Sequence, residues 1–113
     1  MAATGFVVPV LPGKEQDDLD WMEEMTGPRR DQYESTWKSL GVTRHQVWHR
    51  ETLDGTLAVV YLEADDLQAA MDGIASSDDE FSRWFRGRVK DVHGIDLTLH
   101  SPPESTQIHD HHF

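Results

Sequence analysis

The fold is decided by residues 42–63, which read VTRHQVWHRETLDGTLAVVYLE. This stretch predicts two strands, Val42–Thr52 and Thr56–Glu63, because β-branched and aromatic residues are frequent in both and Asp54-Gly55 is a typical hairpin turn. The centre of the second strand, residues 57–62, is apolar at consecutive positions. A strand with one solvated face alternates, so the continuous run predicts a strand that is covered on both faces.

A second copy of the chain is the simplest cover for one of those two faces. The helices of a small antiparallel sheet cover one face only, and a chain of 113 residues is too short for an insertion that covers the other. Homo-oligomers most often pair identical surfaces about a two-fold axis. We therefore predict a homodimer that packs through the sheet face.

The segments around the hairpin complete the order β-α-β-β-α-β. They are predicted as a strand at 6–11, a helical stretch at 14–40 that is kinked or broken near Gly27-Pro28, helices at 67–75 and 76–93, and a strand at 95–99. This order predicts an α+β domain of the ferredoxin-like type with a four-stranded antiparallel sheet. The domain spans residues 1–100, and residues 101–113 have no periodicity and are expected to form a mobile tail.

Charge and composition exclude several classes of function. The net charge is -11, with 21 acidic and 10 basic residues, so we expect no binding to nucleic acid and none to an anionic membrane surface. The chain has no cysteine, which rules out thiolate catalysis. The apolar run at 6–11 is too short for a signal peptide, and no segment has the length of a transmembrane helix, so we expect a cytoplasmic protein.

Two histidines on the first hairpin strand are candidate acid/base groups. His45 and His49 point to one face with Val47 between them, while Arg44 and Trp48 lie on the other face. Histidine is the usual general acid or base near neutral pH. The pair either lines a pocket or lies on the solvated face of an edge strand. No metal site is predicted, because a third ligand is not evident.

Two further candidates lie on the hairpin. Trp48, with Arg44 on the same face, either forms a stacking platform with a cationic clamp for an aromatic or anionic ligand, or packs in the core or the dimer seam. Tyr61 lies on the central strand, where we expect a largely buried ring. Its hydroxyl then bonds either to a core carbonyl or to a ligand.

The helices contribute aromatic and basic candidates. Tyr33 and Trp37 are one turn apart on the face that meets the sheet, where they line a pocket wall or pack in the core. Arg30 follows the helix break and either marks a pocket mouth or pairs with nearby acids. Trp84 and Phe85 are adjacent, so one belongs to the core and the other faces a cavity or a partner.

Other polar residues have a structural interpretation. The acidic run of Asp17, Asp18 and Asp20 begins a helix, where negative charge suits the helix dipole. The buried stripe of that helix is expected to include Leu19 and the methionines that follow at helical spacing. His93 is interpreted as the C-terminal residue of the last helix.

The strand and turn at Val7–Gly13, the long first helix, the hairpin at Val42–Glu63, and the sequences FSRWF (81–85) and HGIDL (93–97) resemble the dimeric α+β barrel superfamily. The chain is most similar in pattern to uncharacterised bacterial members related to polyketide cyclases and antibiotic-biosynthesis monooxygenases. The resemblance implies a pocket between sheet and helices and chemistry without a cofactor. The first strand lacks the Asn of haem-degrading members.

The leading hypothesis is therefore a cofactor-independent cyclase, isomerase or monooxygenase that acts on a polyketide-like or aromatic small molecule. His49 is the first candidate for the general acid/base, followed by His45 and Tyr61. The candidate substrate-binding residues are Trp48, Tyr33, Trp37, Arg30, Arg44 and Trp84. The alternative is a dimer without catalytic activity that binds a small ligand or serves as an accessory protein.

Overall fold

The computed structural model describes residues 2–101 and 105–113, and within them three strands and four helices follow one another. The elements are β1 (Ala2–Pro9), α1 (Glu15–Thr26), α2 (Arg30–Ser39), β2 (Val42–Thr52), β3 (Gly55–Ala64), α3 (Leu67–Ser76) and α4 (Glu80–His93). The strands form one antiparallel sheet in the order β1-β3-β2. The chain is α+β, but the prediction of a four-stranded ferredoxin-like sheet is wrong.

A turn takes the place of the predicted strand at 95–99. The Asp96 carboxylate accepts hydrogen bonds from the backbone N–H of Thr98 at 3.0 Å and from its hydroxyl at 2.6 Å. The backbone N–H of Leu99 then bonds to the Asp96 carbonyl at 3.0 Å. Such an Asx turn curls the chain and prevents the extended pairing of a strand. Leu97 still reaches the core and is 7% exposed, which explains the apolar alternation in the sequence.

Local signals set the helix ends. α1 and α2 are separate helices, which confirms the predicted break near Gly27-Pro28. Asp66 begins α3 by accepting a hydrogen bond from Ala69 N at 3.0 Å, as an N-cap residue does. α4 ends at His93 and is followed by Gly94, whose φ of 73° lies in the left-handed region that favours glycine.

The three strands that form differ from prediction only at their ends. β2 has the predicted bounds, and β3 extends the predicted strand by one residue on each side. The hairpin turn contains Leu53 and Asp54 because Thr52 pairs with Gly55, so it lies one residue earlier than predicted. β1 begins and ends earlier than the predicted strand at 6–11.

The core lies between one face of the sheet and the four helices. Ala58, Val60 and Leu62 of β3 point into it and are 0%, 9% and 2% exposed. The residues between them, such as Val59 and Tyr61, point to the opposite face and are half-buried. We call this second surface the open face. Within a single chain, therefore, only one face of β3 is covered.

No helix within residues 2–101 and 105–113 is long and apolar enough to cross a membrane.

The predicted C-terminal tail adds little to the core. Part of the predicted tail, residues 102–104, lies outside the described residues. Residues 105–113 form no helix or strand, and their side chains are exposed.

Candidate functional site

A cavity lies between the covered face of the sheet and the helices, and all seven elements contribute to its lining. The space open to the centres of water molecules is about 70 Å³. At roughly 10–15 Å³ for each water, this is room for about five to seven water-sized groups, the size of a molecule with one small ring. Apolar side chains form most of the wall, and the residues with polar atoms are Asp18, Trp21, Trp37, His45 and His93.

Asp18 is the most unusual residue of this wall. It lies on the buried stripe of α1 with Trp21 and Met25, and its side chain is 0% exposed. One carboxylate oxygen, Oδ2, is 2.5 Å from Nε2 of His49. The other oxygen, Oδ1, has no hydrogen-bond partner within the described residues. Aspartate is almost never fully buried unless its oxygens are paired, so a half-paired carboxylate at a cavity indicates a functional group.

His49 connects this buried carboxylate to the solvent. Its side chain is 24% exposed, and the ring N–H at Nε2 donates to Asp18. An imidazole in this position can pass a proton between a carboxylate and bulk water. The two residues together therefore have the parts of an acid/base relay, with Asp18 at the cavity and His49 towards the surface.

His45 and Tyr33 form a second polar pair. Their Nδ1 and Oη atoms are 2.8 Å apart. Burial lowers the pKa of His45 to about 4, and burial together with the charge of Glu34 raises the pKa of Tyr33 to about 12. Both groups are consequently neutral at pH 7. His45 is four residues from His49 along β2, about 13 Å for an extended strand, so the two pairs are separate.

Two tryptophans that line the cavity have an indole N–H without a partner among the described residues. Trp21 and Trp37 are 4% and 6% exposed, and the Nε1 atom of each lacks a hydrogen bond within the described residues. Phe85 contacts both rings edge-on, with centroids 5.1 Å from Trp21 and 5.3 Å from Trp37. Leaving a buried donor without an acceptor is costly, so these two N–H groups are polar atoms that the described residues do not satisfy.

His93 adds one more polar atom to the wall. It ends α4, as expected, but it is also 8% exposed and lines the cavity. Its Nδ1 is 2.8 Å from the carbonyl oxygen of Pro9. Because a carbonyl oxygen only accepts, Nδ1 carries the hydrogen, and Nε2 is the acceptor in the neutral ring.

Three of the predicted site residues lie on the open face, away from the cavity. Tyr61, Trp48 and Arg44 point to the side of the sheet opposite His45 and His49, because side chains alternate along the strands. The Tyr61 hydroxyl donates to Glu63 at 2.6 Å, and this bond raises the pKa of Tyr61. Within one chain, these residues do not share a site with the histidines.

The remaining two candidates lie outside the cavity. Arg30 is exposed and forms an ion pair with Glu34 at 3.4 Å. Trp84 is half-buried, and the guanidinium of Arg29 lies 4.2 Å above its ring. Of the predicted set, the structure therefore places His45, His49, Tyr33 and Trp37 in or directly beside the cavity region.

The sequence analysis missed Asp18, Trp21 and His93. The predicted stripe of α1 is confirmed at Met25, which is 1% exposed, but is wrong at Leu19, which is 49% exposed, because Asp18 takes the inward position. A stripe drawn from Trp21 at helical spacing includes Asp18 and Met25, so the signal was present. For His93 no signal distinguishes a cavity residue from a helix end.

Metal ligation has no support in this geometry. Within residues 2–101 and 105–113, no group of three or more His, Asp or Glu side chains is arranged to hold a metal ion. This includes the described part of the tail, where Asp110 and His112 are 3.5 Å apart and both exposed.

The fold and the cavity define a small α+β protein with a buried, largely apolar site that contains a half-paired carboxylate. Comparison with protein-family models, with curated proteins and with solved structures gave no match. The similarity to dimeric α+β barrel proteins therefore stays a hypothesis from sequence pattern, and the function is argued from the site.

Proposed function

We propose that the cavity is the active site of an enzyme that transfers a proton on a small neutral molecule, as in an isomerisation or a cyclisation. One observation supports this proposal most directly. Asp18 lines a largely apolar cavity and has one buried carboxylate oxygen without a hydrogen-bond partner in the described part of the chain, while its second oxygen bonds to His49 at 2.5 Å. A base in a dry site with a proton path to water has the parts that general acid/base catalysis needs.

In this proposal Asp18 is the catalytic residue. Its Oδ1 takes a proton from a carbon or hydroxyl group of the bound molecule and returns it to a different atom of the same molecule. His49 stabilises the carboxylate through Oδ2 and exchanges protons with the solvent. The role predicted for His49 thus becomes that of a positioning and relay group. His45, neutral at pH 7 and bonded to Tyr33, fixes the opposite wall.

Charge and size restrict the substrate. No Lys or Arg side chain of the described residues lines the cavity, so an anionic ligand would meet the Asp18 carboxylate without a cation to offset it. The volume of about 70 Å³ fits a molecule with one small ring. A polyketide-like substrate with several rings, as the resemblance implies, requires the helices to move away from the sheet.

The open face supports a second proposal, that the protein is a homodimer through its sheet. Val59 lies between Val7 and Trp48 in the strand register, and the latter two are 46% and 51% exposed. Arg44 lies opposite Glu63 on the same face, so the surface carries both charges beside an apolar centre. A second copy rotated by a two-fold axis offers a matching apolar centre and complementary charges.

The proton-transfer proposal is tested with cyclohexanone as a probe carbon acid. The measured quantity is exchange of its α-hydrogens for deuterium in D₂O, followed by NMR above the buffer rate. We expect exchange with the wild-type protein, its loss in Asp18→Asn, and a reduction of about 10-fold or more in His49→Gln. Asp20→Asn is the matched control, because Asp20 lies on the same helix but is exposed.

Two outcomes contradict the proposal. The first is exchange at the buffer rate with a wild-type protein that binds the probe saturably, which supports the alternative of a binding protein without catalytic activity. The second is equal loss of exchange in Asp18→Asn and Asp20→Asn, which would place the base outside the cavity.

A further inference from the structure

We infer that residues 95–99, which we call the gate segment, swing away from the cavity and back, and that small molecules enter the cavity through this opening. The inference concerns the route into the cavity and not the chemistry inside it. It holds for an enzyme and for a binding protein without activity, so it goes beyond the proposed function.

The gate segment is the part of the described cavity wall that has no regular secondary structure. Ile95 and Leu97 line the cavity, and the other lining residues all belong to helices or strands. Leu97 is 7% exposed and Ile95 is half-buried, whereas Thr98 and Leu99 are exposed. The segment therefore has the cavity on one side and solvent on the other.

The hydrogen bonds of this part of the chain are local. Within residues 2–101 and 105–113, each hydrogen bond of residues 95–101 joins two members of that stretch. The Asp96 carboxylate accepts from Thr98, and the Asp96 carbonyl accepts from the N–H groups of Leu99 and His100 at 3.0 and 2.9 Å. Moving the segment outwards therefore breaks no hydrogen bond to the described sheet or helices.

Opening at this place costs less than opening elsewhere in the wall. The gate segment gives up the packing of Ile95 and Leu97, because only these two of its residues line the cavity. A helix or strand that moved away would lose its packing and its contacts with neighbouring elements as well. Segments with few buried contacts are the first to open in native proteins.

A fixed hinge precedes the segment. The end of α4 is anchored to the chain after β1, because Leu11 N–H donates to the Val92 carbonyl at 2.8 Å. In addition, Nδ1 of His93 donates to the Pro9 carbonyl at 2.8 Å. Gly94 follows these anchors with a positive φ of 73°. Lids turn about a few residues at the end of an element, which absorb the change in backbone angles.

The test places a single thiol in the cavity, since the chain has no cysteine of its own. Val8→Cys is the background variant, because Val8 lines the cavity from β1 and is 4% exposed. Its reaction with iodoacetamide, followed by mass spectrometry, measures how often the cavity opens. We expect Asp96→Ala in this background to speed the reaction about 5- to 20-fold, because it removes the two carboxylate bonds of the turn.

Asp79→Ala is the matched control. The Asp79 carboxylate also accepts from a backbone N–H and a hydroxyl, both of Ser82, but at the opposite end of α4 from the gate segment. We expect it to change the labelling rate by less than about 2-fold. Equal acceleration in both variants would show that global unfolding exposes the thiol, which overturns the inference.

A pair of leucines on the gate segment tests which side chain closes the cavity. Leu97 lines the cavity, whereas Leu99 is 73% exposed and does not line it. We expect Leu97→Ala to speed labelling at least about 10-fold and Leu99→Ala to change it by less than about 2-fold. The inference fails if the two variants label at the same rate.

Hydrogen exchange on the wild-type protein gives a second measurement if the thiol variant does not fold. The N–H groups of Leu99 and His100 lie beyond the hinge, and that of Gly94 bonds to the Lys90 carbonyl at 2.9 Å before it. We expect the first two to be at least about 10-fold less protected than the third. Equal protection would show that the segment opens only together with α4, and would overturn the inference.

The outcomes separate the gate segment from the proposed function. Labelling that depends on Asp96 and Leu97, without deuterium exchange that depends on Asp18, supports the gate segment and overturns the proton transfer. Exchange that depends on Asp18, with labelling that ignores Asp96 and Leu97, overturns the gate segment and supports the proton transfer.

Discussion

Asp18 of α1 and His49 of β2 are joined by a 2.5 Å hydrogen bond across the interface between helix and sheet. Within the residues that the structure describes, the bond leaves one oxygen of a fully buried carboxylate without a partner. A leucine in the same helical position would complete the apolar stripe with Trp21 and Met25. The aspartate therefore weakens the core at the position of the proposed base, and such local conflicts are typical of functional sites.

Removal of this carboxylate is expected to stabilise the fold and abolish the proposed activity. Asp18→Leu replaces a half-paired buried carboxylate by an apolar side chain, and the adjacent cavity has room for the added volume. His49 keeps access to water because its side chain is 24% exposed. We expect the free energy of unfolding, measured in urea, to rise by about 1 kcal/mol.

Asp18→Asn serves as the control for the stability of the Leu variant. It keeps the shape and the polarity of the side chain, so it retains a buried polar group without full pairing. We expect it to be less stable than Asp18→Leu. A leucine variant that is less stable than the asparagine variant would contradict the view that Asp18 is a functional residue rather than a structural one.

Acid is expected to destabilise the fold through His45. Its pKa is about 4 in the folded chain because of burial and 6.5 when unfolded. Between these values the unfolded chain binds a proton that the folded chain does not, so the free energy of unfolding falls as the pH drops from 6.5 towards 4. The loss attributable to this residue is about 3 kcal/mol at the acidic end.

His45→Gln isolates that contribution. The variant is less stable at pH 7, because it changes the bond to Tyr33, but its stability varies less with pH between 6.5 and 4. The measurement is a series of urea unfolding curves for the wild type, His45→Gln and the exposed control His100→Gln. The assignment fails if wild type and His45→Gln show the same slope with pH.

The sequence contains most of the fold because its signals are local. The hairpin is specified by residues 42–63, and the helix break by Gly27-Pro28, both through backbone preferences that hold in any context. The fourth strand was predicted wrongly because alternation at 95–99 is compatible with a strand and with a turn that buries Leu97. The hydrogen bonds from Thr98 to the Asp96 carboxylate stabilise the turn, and they cannot be recognised from a hydrophobic pattern.

The candidate site was only half predictable. Strand alternation put His45 and His49 on one face and Arg44 and Trp48 on the other, yet the sequence does not say which face the helices cover. Asp18 escaped notice because three acids near one helix start suit the dipole equally well. Only the packing of α1 shows which of them points inward, since that depends on contacts between residues far apart in the chain.

The start of α4 gives a stability prediction with a matched control. The Asp79 carboxylate accepts from the Ser82 N–H at 3.0 Å and from its hydroxyl at 2.7 Å, and these bonds lower the pKa of Asp79. We expect Asp79→Ala to lower the free energy of unfolding by about 1 kcal/mol at pH 7. Asp78→Ala, whose side chain is 94% exposed, changes stability by less than about 0.5 kcal/mol.

The pH dependence of the stability difference between wild type and Asp79→Ala tests whether the ionised Asp79 carboxylate is its cause. The folded-state pKa of Asp79 is depressed, so its contribution is present above the ordinary value of 3.8 and is lost as the pH falls below it. The stability gap between wild type and Asp79→Ala should therefore narrow in acid. A gap that is constant down to pH 2 would show that the side chain acts by packing instead.

The homodimer proposal predicts that a charge at the centre of the open face separates the subunits. Val59 lies between Val7 and Trp48 in the register, so Val59→Lys puts an ammonium group in the middle of the apolar surface. A two-fold axis brings two such groups into one interface, and two buried charges without partners cost several kcal/mol. We expect the dissociation constant of the dimer to rise at least about 100-fold, measured by native mass spectrometry over a range of concentrations.

Leu53→Lys, at the fully exposed hairpin turn, is the control and stays dimeric. In a single chain, a lysine at position 59 remains in contact with water. If the wild-type protein is a monomer, its unfolding curve would therefore differ little from that of Val59→Lys. A wild-type protein that is monomeric at every concentration would therefore overturn the dimer and leave the open face as a solvated surface.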